Sequence, residues 1–384
     1  MEIVRIPEAK EFSAEERSPM PRRAHTVGII GLGFGRAHIP AFQANGCQVV
    51  AVCQRNAAQA KAVADKYGVP RVFERWEEML EQVRPEIVVI ATPPHLHQAI
   101  ALQALARGAH VLCEKPLPMT RDEARAMVEA SARAGRAAMT CFNWRFPAAM
   151  QRLHAMVEEG FLGKLFHASL RYLVPRWADE ATLPTWRMDR AQAGHGAMGD
   201  LGVHLVDLTR WNFGEIVRVS ARSGIAYPSR SVPGGAKPAD AEDFCTVTAE
   251  LASGALVTLL VSRAARGANE QTLEAYGSQG ALSYRLARAG ARWYRGDLGA
   301  ASGSAAGFEP VKVPAGLPRS AGEGDQFEVT GKATIAPLVK RFLAGIRKRE
   351  KPSPSFEDGM RAQAVLDAVL ESASRGTWVD VNRG

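Results

Sequence analysis

Residues 25–36 read HTVGIIGLGFGR, an apolar, β-rich run that stops at glycines. That is the pattern of a buried strand ending in a tight turn. Glycine there permits a sharp bend and lets backbone approach a pyrophosphate, while the next helix start offers free N–H groups. Gly31, Gly33, Phe34 and Gly35 are therefore a candidate cofactor turn. The usual spacing is GxGxxG; here the third glycine comes one residue early, and Arg36 stands where a small residue is expected. Such a turn carries little weight alone, so the surrounding pattern decides.

That pattern alternates. Apolar runs at 47–55, 86–94, 110–116 and 137–146 are separated by helical stretches at 37–45, 57–68, 96–108 and 120–135, with a short strand and helix over 71–83. Strands apolar on both faces, alternating with helices, specify a parallel sheet covered on both sides. Ligands bind at the carboxyl ends of such strands. The second strand ends in Cys53-Gln54-Arg55-Asn56, without the acidic residue that holds an adenosine ribose. Gln54 carries no charge, and Arg55 can pair with a 2′-phosphate. The cofactor reading is thus NADP or NAD, leaning to NADP. Lys115 ends the fourth long strand and should face the same crevice, and Pro116 after it admits a cis bond.

Beyond Pro147 the pattern changes. After a helix at 148–160 come alternating runs at 164–174, 216–224, 243–251, 255–263, 270–277, 281–286 and 291–296, several joined by short turns. They predict an open, mainly antiparallel sheet. Residues 225–240 and 297–325, rich in Gly, Ala, Ser and Pro, read as loops, and helices at 334–349 and 356–376 close the chain. The fold class expected is α/β plus α+β: an N-terminal arm (1–24), a doubly wound parallel (Rossmann) domain (25–146), and a C-terminal domain (147–384) with flanking helices.

Composition bounds the partners. The chain has 384 residues, 46% hydrophobic and 23% charged, with a net charge of +8 spread along it. That suits a two-domain globular protein. No basic–aromatic stripe appears, so nucleic acid is not an expected partner. No apolar run is long enough to span a membrane. Cys47, Cys53, Cys113, Cys141 and Cys245 lie far apart, which points away from a zinc site or disulfide framework and toward the cytoplasm. Arg22 and Arg23 before VGIIGLGF mimic a twin-arginine export signal, but that run is the first strand. His95, His97, His110, His154 and His167 lack partners at zinc spacing, so no metal is expected.

GAMGDLGVHLVDLTRW (196–211) places Asp200 and His204 four apart in an otherwise buried helical stretch. One turn apart, the two share a face. A carboxylate can hold an imidazole in one tautomer, and histidine can take a proton from an alcohol as hydride leaves. With Lys115, they form the candidate catalytic set.

These segments resemble a known family. GLGFGRAH, ATPPHLHQAIALQALARGAHVLCEKPLPMT, GHGAMGDLGVHLVDLTRWNFGE and PSFEDGMRAQAVLDAVLESASRGTWVDV are similar to the Gfo/Idh/MocA (glucose-fructose oxidoreductase / inositol dehydrogenase) oxidoreductases, over nearly all of the chain after residue 25. The resemblance implies an NAD(P)-dependent dehydrogenase or reductase. Hydride would pass between a nicotinamide and a secondary alcohol of a sugar, cyclitol or nucleotide sugar. A homodimer or homotetramer built through the C-terminal sheet is also implied. Lys115 matches the EKP lysine that polarises the hydroxyl, His204 the general acid/base and Asp200 its acidic neighbour. Thr92, Pro93 and His97 match the TPxxxH turn beside the cofactor. Glu114 matches the EKP glutamate near the nicotinamide, and Trp186 and Arg187 a WR pair at the nicotinamide–substrate junction. The sequence departs from the family in its short glycine turn, in Pro94 where Asn is usual, and in His195 where Gly is usual, the last expected to reshape the substrate pocket. Two other functions remain open at this point: a glycosidase using transient oxidation, and a catalytically silent NAD(P)-binding regulator.

Overall fold

The computed structural model describes residues 24–288, 293–313 and 324–382. The expected arm, apart from Ala24, lies outside them. The parallel half alternates as the apolar runs require: β1 (Thr26–Ile30), α1 (His38–Gln43), β2 (Gln48–Cys53), α2 (Ala57–Tyr67), β3 (Arg71–Phe73), α3 (Trp76–Val83), β4 (Ile87–Ile90), α4 (His97–Ala106), β5 (His110–Cys113), α5 (Arg121–Ala134) and β6 (Ala138–Thr140). Helix ends follow local chemistry. Asn56 and Thr120 accept N-cap bonds from Gln59 and Glu123, and Gly68 and Gly135 close α2 and α5 in the left-handed conformation. The six strands form one parallel sheet in the order β3-β2-β1-β4-β5-β6, so the order reverses between β1 and β4, where ligands collect at the strand ends.

The second half comprises α6 (Ala148–Glu158), β7 (Leu165–Leu173), α7 (Arg190–Ala193), α8 (Val203–Phe213), β8 (Ile216–Gly224), β9 (Ser229–Val232), β10 (Gly235–Pro238), β11 (Phe244–Leu251), β12 (Leu256–Ser262), β13 (Glu270–Gly277), β14 (Gly280–Ala287), β15 (Asp297–Ser302), β16 (Glu309–Pro310), α9 (Gln326–Thr330), α10 (Ala336–Lys348), α11 (Phe356–Arg375) and β17 (Val379–Asp380). Nine strands make an open sheet in the order β16-β15-β14-β13-β7-β12-β11-β8-β17. Its inner face packs Leu170, Val247, Val257, Leu273 and Leu282 against Leu153 of α6, Leu205 of α8 and Val365 of α11. One pairing, β7 with β12, is parallel, so the sheet is mixed.

Three local expectations change. Residues 293–295 form a 3₁₀ turn rather than part of a strand over 291–296, whose first two residues lie outside the described set. The 225–240 stretch contains a hairpin, β9–β10, turned by Pro233-Gly234; composition alone reads such a Pro/Gly/Ser segment as loop. Within 297–325, β15 and β16 extend the sheet edge with small residues.

Chain order and packing part company near the end. Ile335, Leu338, Val339 and Phe342 of the α10 region lie in one apolar cluster with Val27, Ile29 and Phe42 of the parallel half. Just beyond, the Pro354 carbonyl accepts from Thr140 N at 3.1 Å and Ser355 bridges Met139, covering the free edge of β6. Among the described residues, no helix is long and apolar enough to cross a membrane. The five cysteines are free and buried.

Candidate active site

The glycine turn follows β1. Gly31 has φ +90°, and a Cβ there would lie 2.5 Å from the Ala91 carbonyl oxygen beyond β4, so only glycine fits. Gly35 presses its turn against Ala91. That turn is 3₁₀ over Gly35–Ala37, and α1 begins only at His38, which accommodates the early third glycine. Gly33 faces outward, with nothing within 4 Å of a Cβ position. Phe34 sets its ring edge-on to Phe327 of α9, and Arg36 folds back to donate from Nε to the Gly33 carbonyl at 2.9 Å. Gln54 braces the turn: its Oε1 accepts from Leu32 N at 3.2 Å and its Nε2 donates to Gln59 at 2.9 Å. Arg55 beside it is exposed. The Thr92 hydroxyl, next to Gly31, is buried and has no hydrogen-bond partner among the described residues.

Lys115 and Asp200 meet across the two halves. The Lys115 Nζ donates to the Asp200 carbonyl oxygen at 2.9 Å and lies 3.6 Å from Oδ1 of the same residue. The Lys115–Pro116 peptide is cis, which the sequence allowed. Arg187 and Arg176 approach the Asp200 carboxylate at 3.6 Å each, and the Arg187 guanidinium stacks 4.3 Å over Trp186. Burial alone would raise the Asp200 carboxyl; Arg187, Lys115, Arg176 and Arg263 instead hold it well below the usual carboxylate range.

Asp200 lies in a π-helical turn, Met198–Gly202, that leads into α8. A Cβ on Gly202 would lie 2.6 Å from the Met198 sulfur, so glycine permits the wide turn. Glu242 fastens the entrance, its Oε1 accepting from Gly196 N at 2.7 Å and Met198 N at 3.1 Å. π turns of this kind recur at functional sites.

His204 stands on the first turn of α8. Phe142 and Trp144 meet its ring edge-on at 6.3 and 6.0 Å, and Tyr172 lies tilted at 6.3 Å. Among the described residues its Nδ1 has no hydrogen-bond partner, and no hydrogen bond or ion pair joins the ring to Asp200. The expected carboxylate–imidazole hold is therefore absent. Three cations draw the Asp200 carboxylate more strongly than a neutral ring would, and aromatic walls orient His204 instead. Burial first, then the Lys115 charge, with Arg288 adding, pushes the imidazole well below its ordinary range.

Other expected site residues lie deeper. His97 is buried, with Nε2 2.8 Å from the Thr92 carbonyl and Nδ1 2.7 Å from the Leu117 carbonyl. Burial keeps the ring neutral, so its single N–H donates to one of these carbonyls while the ring packs between the ends of β4 and β5. Pro93, half-buried, precedes the 3₁₀ turn at Pro94–Leu96 that carries the departure from the family's Asn. Glu114 pairs with His38 at 2.8 Å in a buried contact, and its Oε2 accepts from Lys115 N at 3.3 Å. Burial would raise Glu114, but the His38 hydrogen bond and the His38 and Lys115 charges lower it. Cys141 completes a triplet with His38 and Glu114 whose donor atoms lie within 4.8 Å of one another. The 2.8 Å His38–Glu114 separation is that of a hydrogen bond; two donors on one tetrahedral zinc stand about 3.3 Å apart for ~2 Å bonds. His195, expected to reshape the substrate pocket, is buried and lies 3.2 Å from Gln363 Nε2 and 3.6 Å from Asp367, both of α11.

Sequence reasoning passed over Arg176, Glu242 and His38. Only His38 carried a signal, as the last residue of GLGFGRAH. Arg176 and Glu242 reach the site from loops whose paths only the fold defines.

Comparison with known proteins follows the same outline. Residues 25–142 match the family model described as "Oxidoreductase family, NAD-binding Rossmann fold", and residues 150–283 match "GFO/IDH/MocA C-terminal domain". The chain is 30% identical to a levoglucosan dehydrogenase of Pseudarthrobacter phenanthrenivorans, covering 92% of this chain and 97% of that protein. It is 27% identical to a D-apiose dehydrogenase of Paraburkholderia graminis, covering 92% and 88% respectively. Among solved structures, a levoglucosan dehydrogenase in complex with NADH superposes with a TM-score of 0.85 at 29% identity, covering 94% of this chain and 100% of that one.

Proposed function

The chain belongs to the Gfo/Idh/MocA family of NAD-binding oxidoreductases, and from that premise we propose that Lys115 and His204 handle the hydroxyl proton of a sugar-like secondary alcohol while hydride moves to or from the cofactor. The observation that carries this reading is the Lys115–Asp200 contact, which brings an ammonium at the end of β5 against the turn that leads to His204. Named relatives that act on sugars, such as the levoglucosan and D-apiose dehydrogenases, support the substrate class.

The residues present fit a dinucleotide. Gly33 offers an open face, and the Thr92 hydroxyl beside the turn is buried with no partner among the described residues. Gly31, Gly33, Phe34 and Gly35 would hold the pyrophosphate, and Thr92 and Pro93 would line its path. Gln54 is engaged with Leu32 and Gln59, which leaves the exposed Arg55 as the side chain at the ribose end, in keeping with a 2′-phosphate and NADP. Replacing Arg55 by Gln should lower kcat/KM with NADP at least tenfold and leave NAD turnover nearly unchanged; equal effects on both would reject the NADP preference.

Bound nicotinamide supplies the two-electron donor or acceptor. In alcohol oxidation, the Lys115 ammonium hydrogen-bonds the hydroxyl oxygen and stabilises the negative charge that grows there. The neutral imidazole of His204 takes the O–H proton, and a carbonyl remains. Asp200 keeps the ammonium in place, and the rings of Phe142, Trp144 and Tyr172 exclude water. The test is a panel of sugars, inositols and nucleotide sugars with NAD and NADP, read at the nicotinamide absorbance. Turnover that vanishes in Lys115→Ala while cofactor binding persists supports the reading; unchanged turnover in that variant rejects it.

For the assembly, we infer a homodimer or homotetramer through the outer face of the nine-stranded sheet, where Phe244 and Leu256 are 42% and 48% exposed.

A further inference from the structure

We propose, on the reading of this cleft as the substrate site, that the substrate is an anionic sugar whose carboxylate or phosphate docks on Arg176 and Arg187.

The argument begins with an imbalance. Lys115, Arg176 and Arg187 all converge on one carboxylate, Asp200. Arg263 behind them is matched by Asp243 at 3.6 Å and by the carbonyls of Arg187 and Glu242, so it does not relieve the excess. Arg288 adds a further cation on the His204 side, held 5.7 Å over Trp144 and 5.3 Å over Trp293. Among the described residues, Arg288 has no carboxylate within ion-pair reach.

The imbalance is also one of hydrogen bonding. Both arginine contacts to Asp200 are 3.6 Å long, ion pairs without hydrogen-bond geometry. Among the described residues, neither guanidinium donates a hydrogen bond, and Asp200 Oδ2 accepts none. Each keeps its planar fork of N–H groups for another acceptor, and that fork matches a carboxylate or phosphate in bidentate fashion. An anionic group would meet these forks with charge-assisted hydrogen bonds that a neutral sugar hydroxyl makes more weakly.

The loop that carries Arg176 is held in place by its neighbours. The buried Arg230 of β9 donates to the Asp179 carbonyl at 2.7 Å and the Trp177 carbonyl at 3.0 Å, and Arg263 stacks 3.8 Å over Trp177. The segment that carries Arg176 is thereby fastened at its first turn.

Titration calorimetry on the NAD(P)-saturated protein tests the proposal without relying on turnover, with glucuronate and glucose 6-phosphate as the anionic probes and glucose as the neutral one. At least one anion should bind tenfold or more tightly than glucose, with a preference that shrinks as salt rises. The two anions separate carboxylate from phosphate recognition. Arg176→Gln and Arg187→Gln should each cut the anion-to-glucose ratio several-fold, and Arg176→Lys, which keeps the charge but not the fork, should fall between. Equal binding of glucose and both anions, or a preference untouched by both glutamine variants, overturns the proposal. Anion-selective binding without hydride transfer would leave it standing and remove the dehydrogenase mechanism instead.

Discussion

Lys115→Met keeps the length of the side chain and removes its charge, so it should lower kcat/KM by about 10²–10⁴-fold, in the range of a lost proton-handling group. His204→Asn should fall in the same range. Cofactor binding, followed by nicotinamide fluorescence, should survive both, because neither side chain belongs to the glycine turn. Loss of binding in Lys115→Met would instead make it a cofactor residue. At this scale the sequence was informative about identity and less so about partnership. Lys115, Asp200 and His204 stood out as titratable groups in apolar surroundings. That Asp200 serves a group of cations rather than the imidazole depends on Arg176, which a loop delivers from a distance in sequence that no short pattern spans. His97 and His195 show the same limit: each is engaged by groups that only the folded chain brings near.

The glycine turn makes a paired test at the scale of an element. Gly31→Ala places a side chain at φ +90° and against the Ala91 carbonyl, and should cost about 2–3 kcal/mol of stability in chemical denaturation. A Cβ at Gly33 meets nothing in the protein, so Gly33→Ala should change stability by less than about 0.5 kcal/mol. Its cofactor Kd should rise at least tenfold, because the added side chain occupies the face left to the pyrophosphate. The reverse pattern would move the cofactor elsewhere. Strands and helices of the parallel half were legible because burial on both faces leaves continuous apolar runs. The hairpin at 229–238 was not, since its stability comes from Arg230 reaching the 177–182 loop rather than from its own apolar pattern. The π turn before α8 was equally hidden; it needs Gly202 close to Met198 and Glu242 on the entering amides, contacts that leave no periodic trace.

The whole molecule should respond to acid through its buried histidines. Burial lowers His97 and His204, and lowers His110 to about 4, from an ordinary 6.5. Below pH 6.5 the unfolded chain takes up protons that the folded chain refuses, so stability falls with pH across the interval from 6.5 down to about 4. His110 Nδ1 accepts from Ala137 N at 3.0 Å, a bond that only the unprotonated nitrogen makes. Thermal melting followed from pH 7.5 to 4.5 should show the midpoint dropping, less steeply in His110→Gln; a flat profile would contradict these burials. At the same scale, Leu256→Asp on the outer sheet face should shift sedimentation toward the monomer, and an unchanged mass would reject that face as the contact.

The strip formed by Pro354 and Ser355 along β6 reaches beyond architecture. On the ribosome, the parallel half is synthesised some two hundred residues before its last lateral partner emerges. Until then its final strand presents unmet amides to any neighbouring chain, an invitation to aggregate. A gene fragment ending near residue 330 should accordingly accumulate as insoluble material even though it encodes every strand of both sheets but the last short one, and chaperone demand during synthesis should persist until the closing segment arrives.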